Sequence, residues 1–194
     1  MSRIRVIVSV LAVLIVSVVL AVSAQAAEEH AFIGSAKCKK CHIKQYKSWE
    51  QTTMAQSFEN LRLGQRSEEK VAAGLDPEKD YTTDPECLEC HTTGYGKEGG
   101  FVDEATSPNM LGVGCEMCHG PGGTYVADEY MSLKNKEYKR ADIEAVGSVY
   151  PPQEEQCKVC HNDQSPFVGE GYVFDFEQRK ADGTHESFAM KYEH

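Results

Sequence analysis

Hydrophobic residues are most concentrated at the start of the chain. Arg3 and Arg5 precede an almost unbroken apolar run over residues 6–22, and Ala24-Gln25-Ala26 follows it. A positive segment, an apolar stretch and a small-residue site form the pattern that signal peptidase cleaves. The run is shorter than the roughly 20 residues of a membrane-spanning helix. We therefore predict a signal peptide over residues 1–26, cleaved from a mature domain over residues 27–194. An uncleaved membrane anchor is the alternative.

Helix signals dominate the rest of the sequence. Residues 92–114 are rich in Gly and Pro and predict a loop, with a short strand over residues 100–103. Gly120-Pro121-Gly122-Gly123 interrupts the chain again. The pattern predicts a mainly α fold with long loops and little β structure. Helices are predicted over residues 43–63, 67–73, 128–146 and 175–182.

The cysteines change this picture, because all eight fall in four copies of the motif Cys-x-x-Cys-His. Two thiols three positions apart can add to the two vinyl groups on one edge of a haem, and the following histidine reaches the iron as its proximal ligand. The sequence therefore predicts four covalently attached haem c groups. The attachment thiols are Cys38, Cys41, Cys87, Cys90, Cys115, Cys118, Cys157 and Cys160, and the proximal ligands are His42, His91, His119 and His161.

Three other uses of paired cysteines fit less well. Zinc ribbons do not require a histidine after each pair, thioredoxin-type pairs occur singly, and a disulfide framework gives no reason for the histidines. With about 42 residues of mature chain for each haem, the polypeptide is too short for a conventional apolar core around every cofactor. The interpretation is a single domain organised around four haems that lie close together.

The net charge of the chain indicates which kinds of macromolecule it can bind. The chain has 20 Lys and Arg against 30 Asp and Glu, a formal net charge of −10. A nucleic-acid-binding protein needs a basic footprint, so this balance argues against DNA or RNA. It suits a protein that is soluble after signal cleavage and docks on a basic partner. Membrane association stays an open alternative.

The number of histidines limits how the irons are bound. Seven histidines minus four proximal ligands leave His30, His185 and His194. At least one haem therefore cannot have two histidine ligands from a single chain. His185, which follows a predicted helix, is the strongest candidate for a distal ligand. His30 and His194 lie at the ends of the mature chain and are expected to be frayed.

Met54 is the candidate non-histidine ligand, because a thioether is a known axial ligand of haem iron. It lies 12 positions after His42, about 18 Å along a helix, which is too far for the haem at His42. Met54 would have to serve a neighbouring haem. The residues leave a second alternative open, in which Met54 packs on a porphyrin as a core side chain.

Several segments outside the haem motifs resemble the cytochrome c-554 family of tetrahaem periplasmic proteins. They are residues 34–42 with Ser48-Trp49, residues 75–81, 94–96 and 112–122, Phe174-Asp175 and His185-Glu186. The family is best known for accepting electrons from hydroxylamine oxidoreductase in ammonia oxidisers. The resemblance implies stacked and perpendicular haem pairs, with three bis-histidine irons and one five-coordinate iron.

Carried over by position, the resemblance implies that His185 is a distal ligand. It also implies that the haem at His91 is the open one. The family's other two distal histidines correspond to Met54 and Glu129 here, which supports Met54 as an axial ligand. One further haem is left with the alternatives Met131, Tyr125, Tyr130 and His30.

Two functions follow as expectations. The first is a periplasmic electron carrier that exchanges electrons with other redox proteins, such as cytochromes or membrane and periplasmic oxidoreductases. The alternative is a small haem enzyme that reduces or oxidises a nitrogen oxide or a similar small ligand at an open haem.

Overall fold

The computed structural model describes residues 30–163, 165–166 and 172–190. Within these ranges the chain is helical and irregular, and its β pairing is one isolated bridge between Thr92 and Leu111. The prediction of a mainly α fold with long loops is confirmed. The α-helices are α1 Ser35–Cys38, α2 Ile43–Trp49, α3 Ser67–Ala72, α4 Pro85–His91, α5 Cys115–His119, α6 Arg140–Glu144, α7 Glu154–Lys158 and α8 Phe176–Gly183, and the 3-10 helices are η1 Ser57–Leu61 and η2 Pro108–Met110.

The predicted helix over residues 43–63 is wrong beyond Trp49, where α2 ends. The Thr52 hydroxyl donates to the Trp49 carbonyl at 2.7 Å and accepts from the Ala55 N–H at 3.2 Å. A side chain that hydrogen-bonds nearby backbone in this way competes with the helical ladder. The chain therefore turns after α2 and resumes as η1.

The predicted helix over residues 128–146 is also wrong, except for α6. The Ser132 hydroxyl donates to the Asp128 carbonyl and accepts from the N–H groups of Lys134 and Asn135. These bonds satisfy the backbone through a turn, which is the usual role of Ser and Asn outside helices. The segment before α6 is consequently a series of turns.

Two shorter helix predictions are confirmed, and the strand is not formed. α3 lies within residues 67–73, and α8 begins after Asp175, whose carboxylate caps the Gln178 N–H at 3.0 Å. Over residues 100–103 the Ser107 hydroxyl accepts from the N–H groups of Val102 and Asp103. Those donors are therefore not available for pairing with a strand.

The apolar core is small and lies behind the second haem motif. Leu88, which stands between Cys87 and Cys90, packs in it, and the rings of Phe58 and Phe101 lie 5.6 Å apart. Among the described residues, this apolar cluster lies beside the second of the four motifs. Its buried members are Phe58, Leu61, Tyr81, Leu88, Phe101 and Met110.

A buried carboxylate joins the segment before the first motif to the third motif. Glu116, inside the third motif, is 2% exposed. Its oxygens accept from the N–H groups of Ile33 at 3.0 Å, Gly34 at 2.7 Å and Gly122 at 2.7 Å. Gly34 has a φ of +83°, which a side chain would disfavour. These three bonds tie the segment before the first motif to the turn after the third.

Nothing in the described part of the chain is both helical and long and apolar enough to cross a bilayer. The predicted signal peptide over residues 1–26 lies outside the described residues, so its cleavage and the domain boundary at residue 27 stay predictions.

Replacing Glu116 by Ala is predicted to destabilise the haem-loaded protein by about 3 kcal/mol or more, because it leaves three buried N–H donors without an acceptor. The measurement is guanidinium unfolding followed by circular dichroism. Glu89→Ala is the matched control, since Glu89 also lies within a haem motif but is exposed. We expect it to change the free energy of unfolding by less than about 0.5 kcal/mol. Equal losses in both variants would contradict the role of Glu116.

Candidate haem sites

Each haem motif forms one helical turn. The second and third motifs lie wholly within α4 and α5. In the first and fourth, the N–H groups of His42 and His161 donate to the carbonyls of Cys38 and Cys157, each at 2.9 Å. Residues three and four positions apart share one face of such a turn. Both thiols and the imidazole of a motif therefore lie on the same side, as attachment to a single haem requires.

Two proximal imidazoles are oriented by backbone carbonyls. Nδ1 of His91 lies 2.7 Å from the Ser57 carbonyl, and Nδ1 of His119 lies 3.2 Å from that of Val149. A protonated Nδ1 that donates to a carbonyl leaves Nε2 with its lone pair free for a metal. Sequence reasoning missed both acceptors, because a backbone carbonyl has no signature in the sequence.

Burial favours the neutral imidazole in all four motifs. It lowers the pKa of His42, His91, His119 and His161, while the carbonyl bonds of His91 and His119 partly oppose this effect. The proximity of His185 further lowers the pKa of His42. Neutral imidazole is the form that binds iron.

Thiols of different motifs lie within hydrogen-bonding reach of each other. Cys38 of the first motif pairs with Cys115 of the third, and Cys90 of the second pairs with Cys160 of the fourth. The bond lowers the pKa of Cys115 to about 7 and that of Cys90 to about 7. Once haem is attached these sulfurs are thioethers and no longer titrate.

The third motif is the junction between the others. Its helix α5 contacts α1, which ends at the first motif, and α7, which begins the fourth. α4, which carries the second motif, packs on η1. The segment after the second motif also joins the third, because the Thr93 hydroxyl accepts from the Gly114 N–H at 2.9 Å. The four motifs therefore form one continuous cluster.

Apolar side chains beside the motifs are left uncovered by protein. Ile43, directly after His42, is 52% exposed, and Val159, inside the fourth motif, is 62% exposed. Tyr150 is also 52% exposed and stacks 6.2 Å from the ring of His119. A porphyrin held at each motif would cover such surface. The donor set and this uncovered apolar surface both fit haem.

His185 lies close to two proximal imidazoles. Its ring centroid is 6.1 Å from that of His119, with the planes tilted by 32°. Two imidazoles that bind one iron from opposite sides, each with a metal–nitrogen bond of about 2 Å, have centroids roughly 6 Å apart. Nδ1 of His185 lies 2.9 Å from the Glu186 carbonyl, which again leaves Nε2 free.

Met54 is half-buried and lies near the same region. Its carbonyl accepts from the Val113 N–H at 2.9 Å, just before the third motif. Its terminal methyl group would touch a Cβ placed on Gly183 at 3.6 Å. The structure thus brings Met54 towards the segment that carries His185. Glu129, by contrast, is exposed.

His30 is held in place, and the expectation that it is frayed is wrong. Its Nδ1 lies 2.8 Å from the Thr124 hydroxyl. Its ring packs on Gly147, where a Cβ would lie 2.5 Å from the ring. Tyr125 is buried, and its hydroxyl donates to the Gly120 carbonyl at 2.9 Å. His194 lies outside the described residues.

Sequence reasoning also missed the role of Glu116. A charged residue inside a haem motif, followed by the glycines of Gly120-Pro121-Gly122, was its only signal. The sequence does not say which backbone N–H groups a carboxylate meets, and here two of the three come from residues 82 or more positions away.

Known proteins with similar sequences and structures agree on one family. The sequence model of "Cytochrome c554 and c-prime" matches residues 37–120. Cytochrome c-554 of Nitrosomonas europaea is 39% identical over 145 residues, which cover 71% of this chain and 61% of that protein. The solved structure of reduced cytochrome c554 from Nitrosomonas europaea superposes with a TM-score of 0.70 at 32% identity, covering 84% of this chain and 89% of that one.

Proposed function

Because this chain belongs to the cytochrome c554 family and carries four covalently attached haem c groups, we propose that it transfers electrons between redox proteins. Haem c supplies one-electron oxidation and reduction of its iron. The observation that carries the proposal is the contact of α5 with both α1 and α7, together with a hydrogen bond at 2.9 Å from the Gly114 N–H, just before the third motif, to the Thr93 hydroxyl, just after the second. These contacts join the four motifs to one another.

The proposed roles of the motif residues follow from their geometry. In each motif both cysteines form thioethers and the histidine binds iron through Nε2. Ser57 and Val149 fix the orientation of His91 and His119 through their carbonyls. Such outer hydrogen bonds keep the imidazole in one tautomer and raise its basicity.

For the third haem we propose His119 and His185 as the axial pair. The 6.1 Å separation of their rings supports this assignment, and so does the family resemblance at His185-Glu186. α8 and the segment after it would then complete a site that α5 begins. The C-terminal segment is held there by a hydrogen bond from the Glu186 N–H to the Ser48 hydroxyl at 2.9 Å.

Met54 is proposed as an axial sulfur ligand of a neighbouring haem. Its half-buried position near Gly183 and its correspondence to a family distal histidine support this role. A thioether in place of a second imidazole raises the potential of the iron it binds. The four haems would then differ in potential.

We place the protein in the periplasm, after removal of residues 1–26, with cytochromes or other oxidoreductases as partners and no role in binding nucleic acid. The leader pattern and the haem-attachment motifs support this location. Mass spectrometry of the exported protein tests it, since a chain that begins at Ala27 and carries four haems is expected. An intact N-terminus would contradict it.

A second candidate function is chemistry at an open haem, with a nitrogen oxide or a similar small ligand. It is favoured by the histidine count, which does not allow four bis-histidine irons in one chain. The resemblance implies that the haem at His91 is the open one.

Catalytic amounts of the protein are predicted to accelerate electron flow between a donor and an acceptor that react slowly with each other. The assay follows reduction of a soluble cytochrome by a hydroquinone, with and without the protein. Parallel reactions measure consumption of nitrite, hydroxylamine and nitric oxide. Turnover of one of these ligands, without acceleration of the electron-transfer reaction, would contradict the carrier function and support the enzyme.

His185→Ala is predicted to convert one low-spin ferric haem to a high-spin form, because it removes the second axial ligand of the haem at His119. Electron paramagnetic resonance of the oxidised protein measures the change. Added imidazole is expected to restore the low-spin signal. A spectrum identical to that of the wild type would contradict the assignment.

Met54→Leu keeps the size and apolar character of the side chain but removes the sulfur. It is predicted to abolish a histidine–methionine signature in magnetic circular dichroism and to lower the potential of one haem when water or hydroxide replaces the thioether. Unchanged spectra and potentials in this variant would show that Met54 is a packing residue.

A further inference from the structure

The surface around the first haem motif is basic, although the whole chain is acidic. Between residues 35 and 49 there is no Asp or Glu. The lysines of this segment are all exposed and lie on α1, within the motif, or on α2. We call them the first-motif lysine patch, which consists of Lys37, Lys39, Lys40, Lys44 and Lys47.

The other three motifs have no such concentration of lysines. The first turn of the helix at the second motif contains the exposed Glu86, and the third motif contains no Lys or Arg and a buried Glu116. At the fourth motif, Glu154 and Glu155 lie in the first turn of α7. With a formal net charge of −10 over the chain, the first motif is the one that presents a concentrated positive surface.

Few of the patch charges are neutralised within the described chain. Lys39 lies 4.0 Å from Glu50, and its ammonium group also lies 4.5 Å from the centre of the Tyr46 ring. Lys44 lies 6.0 Å from the ring of Phe188. Surface pairs such as Lys39–Glu50 are screened by solvent. Most of the charge of the patch is therefore available to a partner.

The same surface exposes the haem attachment site. Of the eight cysteines, Cys41 is exposed, whereas the other seven are half-buried. A porphyrin bound through Cys41 would be attached at the protein surface, among the lysines at positions 39, 40 and 44. Electron transfer between proteins requires a cofactor close to the surface that binds the partner.

We propose that the first-motif lysine patch is the docking surface for an acidic, soluble redox protein, which exchanges electrons with this chain at the haem of the first motif. This inference rests on the proposed carrier function and adds the point of entry. It replaces the basic partner expected from the net charge with an acidic one, because the local charge at the first motif is positive. Complementary charge steers such encounters and raises the association rate. One electron passes between the partner's cofactor and a haem iron of this chain, and no bond forms or breaks.

An anionic membrane is the less suitable occupant. Peripheral binding to lipid needs apolar side chains to insert beside the basic residues. Within residues 35–49, Ile43 is the large apolar side chain that stands exposed. Outside this segment, Met190 accepts from the Gln45 amide and is 39% exposed. Five lysines with these two exposed apolar side chains suit the charged rim of another protein.

The test uses the haem-loaded protein and plant-type [2Fe–2S] ferredoxin, an acidic one-electron donor, in stopped-flow reduction at low and high salt. The patch variant is Lys40→Glu/Lys44→Glu/Lys47→Glu. The control variant is Lys97→Glu/Lys134→Glu/Lys139→Glu, which changes the net charge equally at exposed sites elsewhere. At low salt the patch variant should react at least about tenfold more slowly than the wild type, while the control should stay within about twofold.

Two measurements separate failure of this inference from failure of the carrier function. A neutral hydroquinone should reduce the wild type and both variants at the same rate. A wild type that neither this donor nor ferredoxin reduces would overturn the carrier function. A wild type that is reduced by ferredoxin, with equal slowing in both variants, would overturn the patch alone.

Cross-linking of the wild type with a carbodiimide gives an independent result. It should join ferredoxin carboxylates to Lys40, Lys44 or Lys47, as identified by mass spectrometry. Cross-links confined to lysines outside the patch would overturn the proposal. The proposal would also be overturned if the wild type bound phosphatidylserine vesicles tightly and the patch variant lost this binding but kept the wild-type rate with ferredoxin. The patch would then be a lipid-binding surface.

Discussion

The geometry of one helical turn, repeated four times, is the constraint on which the rest of this structure depends. Cysteines three positions apart, with a histidine directly after them, share one face only when the backbone turns as it does in α4 and α5. Each turn then points two thiols and one imidazole at the same haem. In the described part of the chain, the cluster of buried apolar side chains lies behind the second motif. We therefore expect the other motifs to depend on the porphyrins for much of their buried surface.

The third motif connects these units. Its helix touches the helices of the first and fourth motifs, its histidine faces His185, and its Glu116 binds the backbone that leads into the first motif. A buried carboxylate with three N–H donors fixes this junction without needing an apolar core. At the surface, lysines surround the first motif although the net charge of the whole chain is negative.

The cofactor and the helical character could be predicted from the sequence, because both depend on local patterns. Spacing alone identifies the attachment cysteines, and the cap at Asp175 fixes the start of α8. The end of the helix at Trp49 and the turns around Ser132 were not predicted, because the helix propensity of both segments is favourable. The hydroxyl groups of Thr52 and Ser132 hydrogen-bond the nearby backbone and interrupt the helix there. His185 lies beside His119, and Glu116 accepts from the Ile33 N–H. Both contacts join residues that are far apart in the sequence. The order of residues along one segment does not encode such contacts.

The central claim is that one short chain holds four haems as a reversible store and conductor of electrons. Coulometric titration of the purified protein, followed by its visible spectrum, tests this claim most directly. The account predicts that each chain takes up four electrons and releases four on reoxidation, spread over more than one potential because the axial ligands differ. Uptake of fewer than four electrons per chain, or reduction that cannot be reversed, would contradict it.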